Sequence, residues 1–576
     1  MNEKIRIGQV IGASLSNGIF VQLSRSSFVE EIPSNSLVVI QGDKRKYLGL
    51  IADISLIKGT NHASKLANIE SRFPSDKSRN LTKNTKELFS SYGVFSSAIH
   101  IIPLSQTTKN STEDVDTIPS YLSAVSPATK DDVEIFYGKV DNRLNWGIGF
   151  VKSSLKESEE NILIPINLDV LVRGSFGIFG KAGTGKTMLG NIIAGLIILG
   201  NKTKSFEKEV KLLIFDMHSE YGLKVKDHHG RDYEDGVGRI FKNDFLILSP
   251  DHTLAEEYGL EKFEIKIENI TEEYIINVKE VFDLSDAFIN YLYDYKAIYN
   301  EIFEKIAKKY GINIDLKNPW IHYLFDDLPL LKDNRKTLEE IEREFKTAIR
   351  EKISPGAIYA LSSGKSKLKY LIRVDFISKN SGEDSVKKII NELFDGNRSV
   401  IISMGRYGDD LRAYTFIANI ISMKIWNTAV NRIMKGEELK YKIIIFLEEA
   451  HKFLSPEGYY KNPFGDIARE LRKRGILLCI IDQRPSQIAE DVIAMLWNNF
   501  VFSLTEAKDI TSVTRNLKFS SLFESVISNL KRREALIFGE MIKIPAVVTI
   551  VDYKEMVKFL KRVYENQKTL VEIPGY

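Results

Sequence analysis

The sequence predicts an α/β protein: a mostly parallel sheet covered by helices on both faces, preceded by a small antiparallel β-barrel and interrupted by a helical insertion. Three observations predict this. From residue 176 onwards, short β-branched runs alternate with helix-length stretches, the pattern of strand–helix–strand units whose strands run parallel. Before that, residues 5–57 hold four strand-like runs, IRIGQVIG, GIFVQLS, SLVVIQG and YLGLIADISL. Turn residues such as Ser16-Asn17-Gly18 and Gly42-Asp43 separate them, and closely spaced antiparallel strands of this kind suit a small barrel. Residues 272–351 are mostly helical in pattern, so they are read as an insertion into the α/β series.

Composition narrows the classes. A chain of 576 residues exceeds one ordinary domain, and an apolar fraction of 43% supports a large core. The 80 basic and 77 acidic side chains nearly cancel, which excludes a generally basic nucleic-acid coat but leaves room for a locally basic channel. The single cysteine, Cys479, sits in the apolar run ILLCIID and has no internal disulfide partner, so a reducing, cytoplasmic setting is expected. MNEKIRIGQV lacks the apolar core of a signal peptide, and no apolar run approaches the roughly 18–20 residues of a membrane span. No membrane association is expected.

Taken in order, residues 58–130 turn polar, with a helix expected at Thr82–Tyr92 and loop or linker at Thr107–Pro127. EIFYGKV (134–140) and ILIPINL (162–168) read as strands that complete the barrel. Phe176–Phe179 is an apolar strand entering a glycine-rich turn, followed by a helix marked by Met188, Leu189, Ile192, Ile193, Leu196 and Ile197. KLLIFDMHSEYG and DFLILSP add strands, and TLEEIEREFKTAI reads as a helix opened by a Thr337-x-x-Glu340 capping box. SVKKIINELF (helix), SVIISM (strand), a helix over Asp410–Met434, KIIIFLEEAH, LLCIIDQ, FVFSLT and AVVTIVDY complete the series. The expected domains are a barrel over 1–165 with a polar insertion at about 58–130, a core over 166–550 with the helical insertion at about 255–385, and a tail over 551–576.

The chemistry starts at FGKAGTGKTM. Gly180, Gly185, Lys186 and Thr187 satisfy the P-loop pattern G-x-x-x-x-G-K-[ST]. Successive backbone N–H groups must turn inward around phosphate oxygens, and the following helix points its positive end at the same anion. Gly180, Lys181, Ala182, Gly183, Thr184, Gly185, Lys186, Thr187 and Met188 are therefore the expected nucleotide-binding residues, with Lys186 on the β/γ-phosphates and Thr187 on Mg²⁺. KIIIFLEEAH brings two acids to the end of an apolar strand, where open α/β sheets bind ligands. Glu448 is assigned to the magnesium shell through water and Glu449 to activating the attacking water. Asp216, His218 and Glu220 stand at another strand end, and parity would point all three one way if the strand continued. They are candidates to support the water or the metal; zinc is not expected, because no Cys/His set with ligand spacing accompanies His218.

ARELRKRG places Arg469 and Arg472 three apart on one helix face, with Arg474 before a helix-ending Gly475. The cluster reads either as a solvated basic face or as a source of an arginine acting on a neighbouring subunit's nucleotide. Gln483, ending LLCIIDQ, is a candidate γ-phosphate sensor, and Arg173 a weaker candidate for a contact across a subunit boundary. SSGKSKLKYLIR (362–373) and KVKDHHGR (224–231) are candidate basic loops for DNA phosphates.

FGKAGTGKT, FDMHSEYG, FLEEAHKF, ARELRKRG and IDQRPSQI, in that order, resemble the motif series of HerA-type DNA translocases of the FtsK–HerA group. G-x-V-I-G (Gly8–Gly12) and YLGLIADI resemble the small barrel, the HAS-barrel, that precedes their ATPase core. The resemblance covers 1–57 loosely and 160–250 and 385–550 well; it does not cover 60–130 or 255–380. It implies a RecA-like core that uses ATP and Mg²⁺, assembled as a homohexameric ring that moves double-stranded DNA. It also implies a nuclease partner such as NurA or, in defence systems, a Sir2-like or other effector subunit. Carried onto this chain, it implies Lys186 and Thr187 at the phosphates and magnesium, Glu449 as catalytic acid, Arg474 acting in trans with Arg472 as second choice, and Gln483 as sensor. Two other readings stay open: a ring that mainly scaffolds and gates an effector enzyme, and a secretion or conjugation ATPase. The second would need a membrane anchor or docking to one.

Overall fold

The computed structural model describes residues 6–24, 30, 32–56, 97–107, 111–153, 162–227, 229–309, 318–324, 335–378 and 384–565. The helix expected at Thr82–Tyr92 lies outside them. The chain divides into two compact units: residues 1–207, 481–486 and 493–576, and residues 208–480 and 487–492.

The first unit opens with β1 (Gly8–Ser14), β2 (Gly18–Leu23), β3 (Ser36–Gln41), β4 (Lys46–Leu56), β5 (Ser97–Thr107), the two-residue β6 (Thr112–Glu113) and β7 (Ala124–Pro127). β1 pairs with β2, β2 with β5, β5 with β4, β4 with β3, β3 with β7 and β7 with β1, all antiparallel, so six strands close into a barrel. Alternate residues fill it: Val10, Ile19, Val21, Val38, Ile40, Ile51, Ile99, Ile101 and Val125 form one buried cluster. The stretch Thr107–Pro127, expected to be loop, thus holds the strand that closes the cycle. Four residues of AVSP give too little pattern to see in sequence, and the pairing is supplied by β1 and β3.

EIFYGKV is not a strand. Residues Lys130–Tyr137 form a helix opened by a capping box in which Thr129 and Asp132 cap each other's backbone N–H groups. Val133, Phe136 and Tyr137, at helical spacing, are its buried face. β8 (Asn145–Ser153) and β9 (Ile162–Asn167) pair with each other, so ILIPINL does not complete the barrel. β8 does touch it, through a short parallel pairing of Ser36 and Leu37 with Lys152 and Ser153. β10 (Phe176–Phe179) follows and leads into the helix Lys186–Lys202, buried from Leu189 to Gly200.

The second unit holds β11 (Val210–Asp216), the hairpin β12 (Lys224–Lys226) and β13 (Asp232–Asp235), β14 (Phe245–Ser249), and the short β15 (Glu261–Lys262), β16 (Ile265–Lys266) and β17 (Ile377–Ser378). β18 (Ser399–Ser403), β19 (Lys442–Glu448) and β20 (Ile476–Asp482) follow, the unit boundary falling after Ile480 of β20. Parallel pairings set the order β15-β14-β18-β11-β19. Every residue of β11 and β18 is buried, as a sheet covered on both faces requires. The insertion is mostly helical: Glu272–Asn277, Asp286–Lys309, Pro319–Leu324, Arg335–Lys352 and Pro355–Leu368. Thr337 lies within the helix Arg335–Lys352, not before its first residue. SSGKSKLKYLIR is helix and 3₁₀ turn, not loop. KVKDHHGR is strand and turn, closed by an Asp227–Arg231 ion pair. The helix expected over about Asp410–Met434 is present as Leu411–Met434, and Asp410 caps it.

Returning to the first unit, β21 (Asn498–Phe502), β22 (Glu534–Gly539) and β23 (Ala546–Ile550) give the order β10-β21-β22-β23-β8-β9. The segment expected as a tail begins with a helix, Tyr553–Glu565, whose Phe559 ring meets Trp146 edge-on at 6.3 Å.

The barrel is tightly packed at Gly49 of β4. A Cβ on Gly49 would lie 2.3 Å from the Ile101 side chain, inside the buried wall. Gly49→Ala should destabilise the barrel by about 1–3 kcal/mol through overpacking. Hydrogen exchange on the full chain should show faster exchange in β4 and β5 than in wild type.

Candidate nucleotide site

In the first unit the P-loop is bent by glycines. Gly180, Gly183 and Gly185 have φ of 155°, 74° and 116°, backbone that side chains with a Cβ rarely adopt. The loop is tied down by its own backbone: Gly180 N–H donates to the Asp482 carbonyl (3.2 Å), Lys181 N–H to Ser503 (3.0 Å), and Arg533 N–H to the Thr184 carbonyl (3.3 Å). Thr184 Oγ1 donates to the Lys181 carbonyl at 2.8 Å. The helix that follows has Gly185 as N-cap and no side-chain cap hydrogen bond, and its positive end faces the loop. The Lys186 ammonium rests on the Gly180 and Lys181 carbonyls at 2.7 and 3.1 Å, at the mouth of the loop. A cradle of turned amides, an uncapped helix start and a lysine ammonium fits a triphosphate. Thr187 occupies the second position of that helix.

In the second unit β19 delivers Glu448 buried, 7% exposed. Burial pushes its carboxyl well above the usual range, and the nearby Asp216 and Glu220 carboxylates push the same way; the Met217 N–H opposes them. Glu449 follows with φ 49° and ψ 47°, the left-handed region, in which a non-glycine residue is strained by about 1–3 kcal/mol. Its carboxylate stands 3.6 Å from His451 Nδ1. The strand ends there and the chain turns immediately.

Asp216 ends β11, so the parity expected for Asp216, His218 and Glu220 does not apply. Asp216 is fully buried and accepts Glu220 N–H (2.8 Å), Gly222 N–H (2.7 Å) and Ser403 Oγ–H (3.0 Å). Burial still raises its pKa against those bonds. His218 is exposed. The structure thus brings Asp216, Glu220, Glu448 and Glu449 into one acidic group and leaves His218 out of it.

The arginine segment departs from the expected helix. Pro463–Asp466 is α-helical, Ile467–Leu471 is a π-turn and Arg472–Arg474 a 3₁₀ turn, ended by Gly475 at φ 89°. Arg469 pairs with Asp466 and lies over the Tyr459 and Tyr460 rings at 5.3 and 4.9 Å, so it is already engaged. Arg474 is exposed and, among the described residues, makes no ion pair. Gly475 accepts from Ile443 N–H at 2.8 Å, which sets Arg474 beside the start of β19, about 20 Å of strand from Glu448. Gln483 follows β20 in the first unit and is partly buried; Arg173 pairs with Asp169. Sequence reasoning passed over Asp482, fully buried, whose carbonyl holds Gly180 and whose carboxylate accepts Arg484 N–H at 2.7 Å. An acid ending the apolar run ILLCIID was the available signal.

Fold and loop together define a P-loop nucleotide-binding protein with a mostly parallel α/β core and an N-terminal barrel. The chain matches the family model described as helicase HerA, central domain, over residues 152–425. It is 34% identical over 126 residues to the DNA double-strand break repair helicase HerA of Pyrococcus furiosus, covering 21% of this chain and 23% of that one. It is 26% identical over 302 residues to the protein of that name from Sulfurisphaera tokodaii, covering 46% and 60%. The chain therefore spans less than two thirds of the length of these relatives. Among solved structures, the bacterial conjugative coupling protein TrwB aligns at 16% identity and a TM-score of 0.41, over 68% of this chain and 87% of that one. No helix among the described residues is long and apolar enough to cross a membrane.

The strained Glu449 gives a direct test. Glu449→Gly and Glu449→Ala both remove the carboxylate, but only glycine relaxes the left-handed backbone. The glycine variant should be more stable than the alanine variant by about 1 kcal/mol, read as a higher melting midpoint.

Proposed function

We propose that this protein is an ATP-driven translocase of double-stranded DNA, acting as a hexameric ring with a nuclease or other effector subunit in DNA end processing or anti-phage defence. The observation that carries it is the ordered motif series from FGKAGTGKT to IDQRPSQI, combined with a P-loop already bent for phosphate and an acidic strand end. Lys186 and the loop amides would bind the β/γ-phosphates, and Thr187 and Glu448 would hold Mg²⁺. Bound magnesium would supply the positive charge that the group around Glu448 lacks and neutralise charge developing on the phosphates. Glu449 orients and activates the attacking water, Gln483 reads the γ-phosphate, and Asp216 fixes the turn beside Glu448. DNA is held mainly through its phosphates, so binding weakens steeply with salt. DNA-stimulated ATP turnover separates this reading from a ring that only gates an effector enzyme.

Lys186→Ala should weaken nucleotide binding by removing a charge-assisted phosphate contact. Glu449→Gln should keep binding and lose hydrolysis by orders of magnitude, as about 10²–10⁴-fold is typical of a lost general base. Binding titration beside steady-state turnover distinguishes the two, and near-wild-type hydrolysis in Glu449→Gln would overturn its assignment.

Arg474 is proposed to act on the neighbouring subunit's nucleotide, since its own strand holds it far from Glu448. Rings of Arg474→Ala alone and of Glu449→Gln alone should each be inactive, the first by about 10³-fold or more. Verified mixed rings should recover part of the hydrolysis wherever an intact Glu449 site faces an intact Arg474. No recovery would shift the role to Arg472 or dismiss it.

A further inference from the structure

The helical insertion, which the family resemblance does not cover, meets the acidic group through two separate contact chains within the second unit. Both start in the short segment Lys369–Phe376. On the first, the Arg406 guanidinium pairs with Asp375 and lies 3.9 Å from Asp251, while Arg406 N–H donates to Asp251 at 3.1 Å. Tyr407 adds to this clamp: its hydroxyl accepts Asp375 N–H at 3.1 Å and its ring meets Phe376 edge-on at 5.2 Å.

The loop bearing Arg406 is fastened to the turn after β11. Gly405 N–H donates to Ser219 Oγ at 3.2 Å, Met404 N–H to the Asp216 carbonyl at 3.0 Å, and Ser403 Oγ–H to the Asp216 carboxylate at 3.0 Å. Gly408 lies so close that a Cβ there would be 1.9 Å from the Met217 carbonyl. Met217 in turn lies beside the Glu448 carboxylate, near enough for its N–H to hold that group's pKa down. On the second chain, Tyr370 O–H donates to Asp410, the cap of the helix Leu411–Met434. Tyr414 on that helix donates its hydroxyl to the Glu448 carbonyl at 3.1 Å. One end of the insertion is thus joined to the Glu448 backbone and to the Asp216 turn that flanks its carboxylate.

We propose that Arg406 is a positioning residue through which the insertion sets the alignment of the Asp216 turn and Glu448, so that whatever engages the insertion changes the rate of ATP turnover. This rests on the hydrolytic reading above. The Arg406 side chain is half exposed and spans two acids from different segments, Asp251 beyond β14 and Asp375 of the insertion. It is a joint between two pieces of chain. Coupling of this kind needs a cycle to demonstrate it, since contact alone does not.

The experiment compares wild type, Arg406→Ala, Asp375→Asn and the double variant in the full chain. Two readouts are taken: the kcat and nucleotide Kd, and hydrogen exchange at Glu220 and Gly222, whose N–H groups Asp216 accepts. Arg406→Ala should lower kcat by about 10–100-fold, the scale of a small misplacement of a catalytic group, with Kd changed less than about twofold and exchange at both amides raised. Asp375→Asn should reproduce most of this, and the double variant should be no worse than Arg406→Ala. Arg406→Lys should restore part of kcat. Unchanged kcat and unchanged exchange at Glu220 and Gly222, with faster exchange confined to residues 369–376, would overturn the proposal. Additive losses in the double variant would overturn it as well. If wild type hydrolyses no ATP, the functional reading fails while the exchange readout still decides the coupling.

Discussion

A carboxylate taken out of water beside other carboxylates is costly unless a cation or a proton joins it. Glu448 is in that position: buried, with Asp216 and Glu220 near enough to raise its pKa further. Much of the second unit is arranged around keeping these acids apart and in place. Asp216 takes donors from two amides and a hydroxyl, Tyr414 holds the Glu448 carbonyl, and the chain leaves β19 through a strained Glu449. Retaining the acids makes sense if the missing charge arrives with magnesium and a nucleotide.

The parallel core was largely legible in the sequence because its signals are local. β10, β11, β18 and β19 are continuous apolar runs, and the P-loop is a contiguous pattern whose glycine geometry the backbone bears out. The errors have two causes: pairing partners that lay far away in sequence, and a local cap that outweighed a β-prone run. β7 is too short to announce itself and exists because β1 and β3 flank it. Residues 134–140 look β-prone, yet Thr129 and Asp132 just upstream nucleate a helix whose apolar spacing suits burial equally well. Composition could not show that the capped form wins.

The site residues divide the same way. Those fixed by a motif, Gly180–Met188 and the Glu448–Glu449 pair, stand where the pattern implies, on a bent loop and at a strand end. Those inferred from helix faces fared less well. The π-turn at Ile467–Leu471 alters the spacing between Arg469 and Arg472, and Arg469 turns out to be engaged by Asp466 and two tyrosine rings. A helix of irregular pitch cannot be seen in a residue list, because the same residues fit a regular one.

The closed barrel has a consequence for how a partner can be gripped. A sheet with an open edge can bind by lending its backbone to an added strand, an attachment largely indifferent to side chains. Six strands joined in a cycle offer no such edge. Anything that grips this barrel must do so through its loops and outward-facing side chains. Its choice of partner can then be rewritten by surface substitutions alone, while the wall that holds the barrel together stays the same.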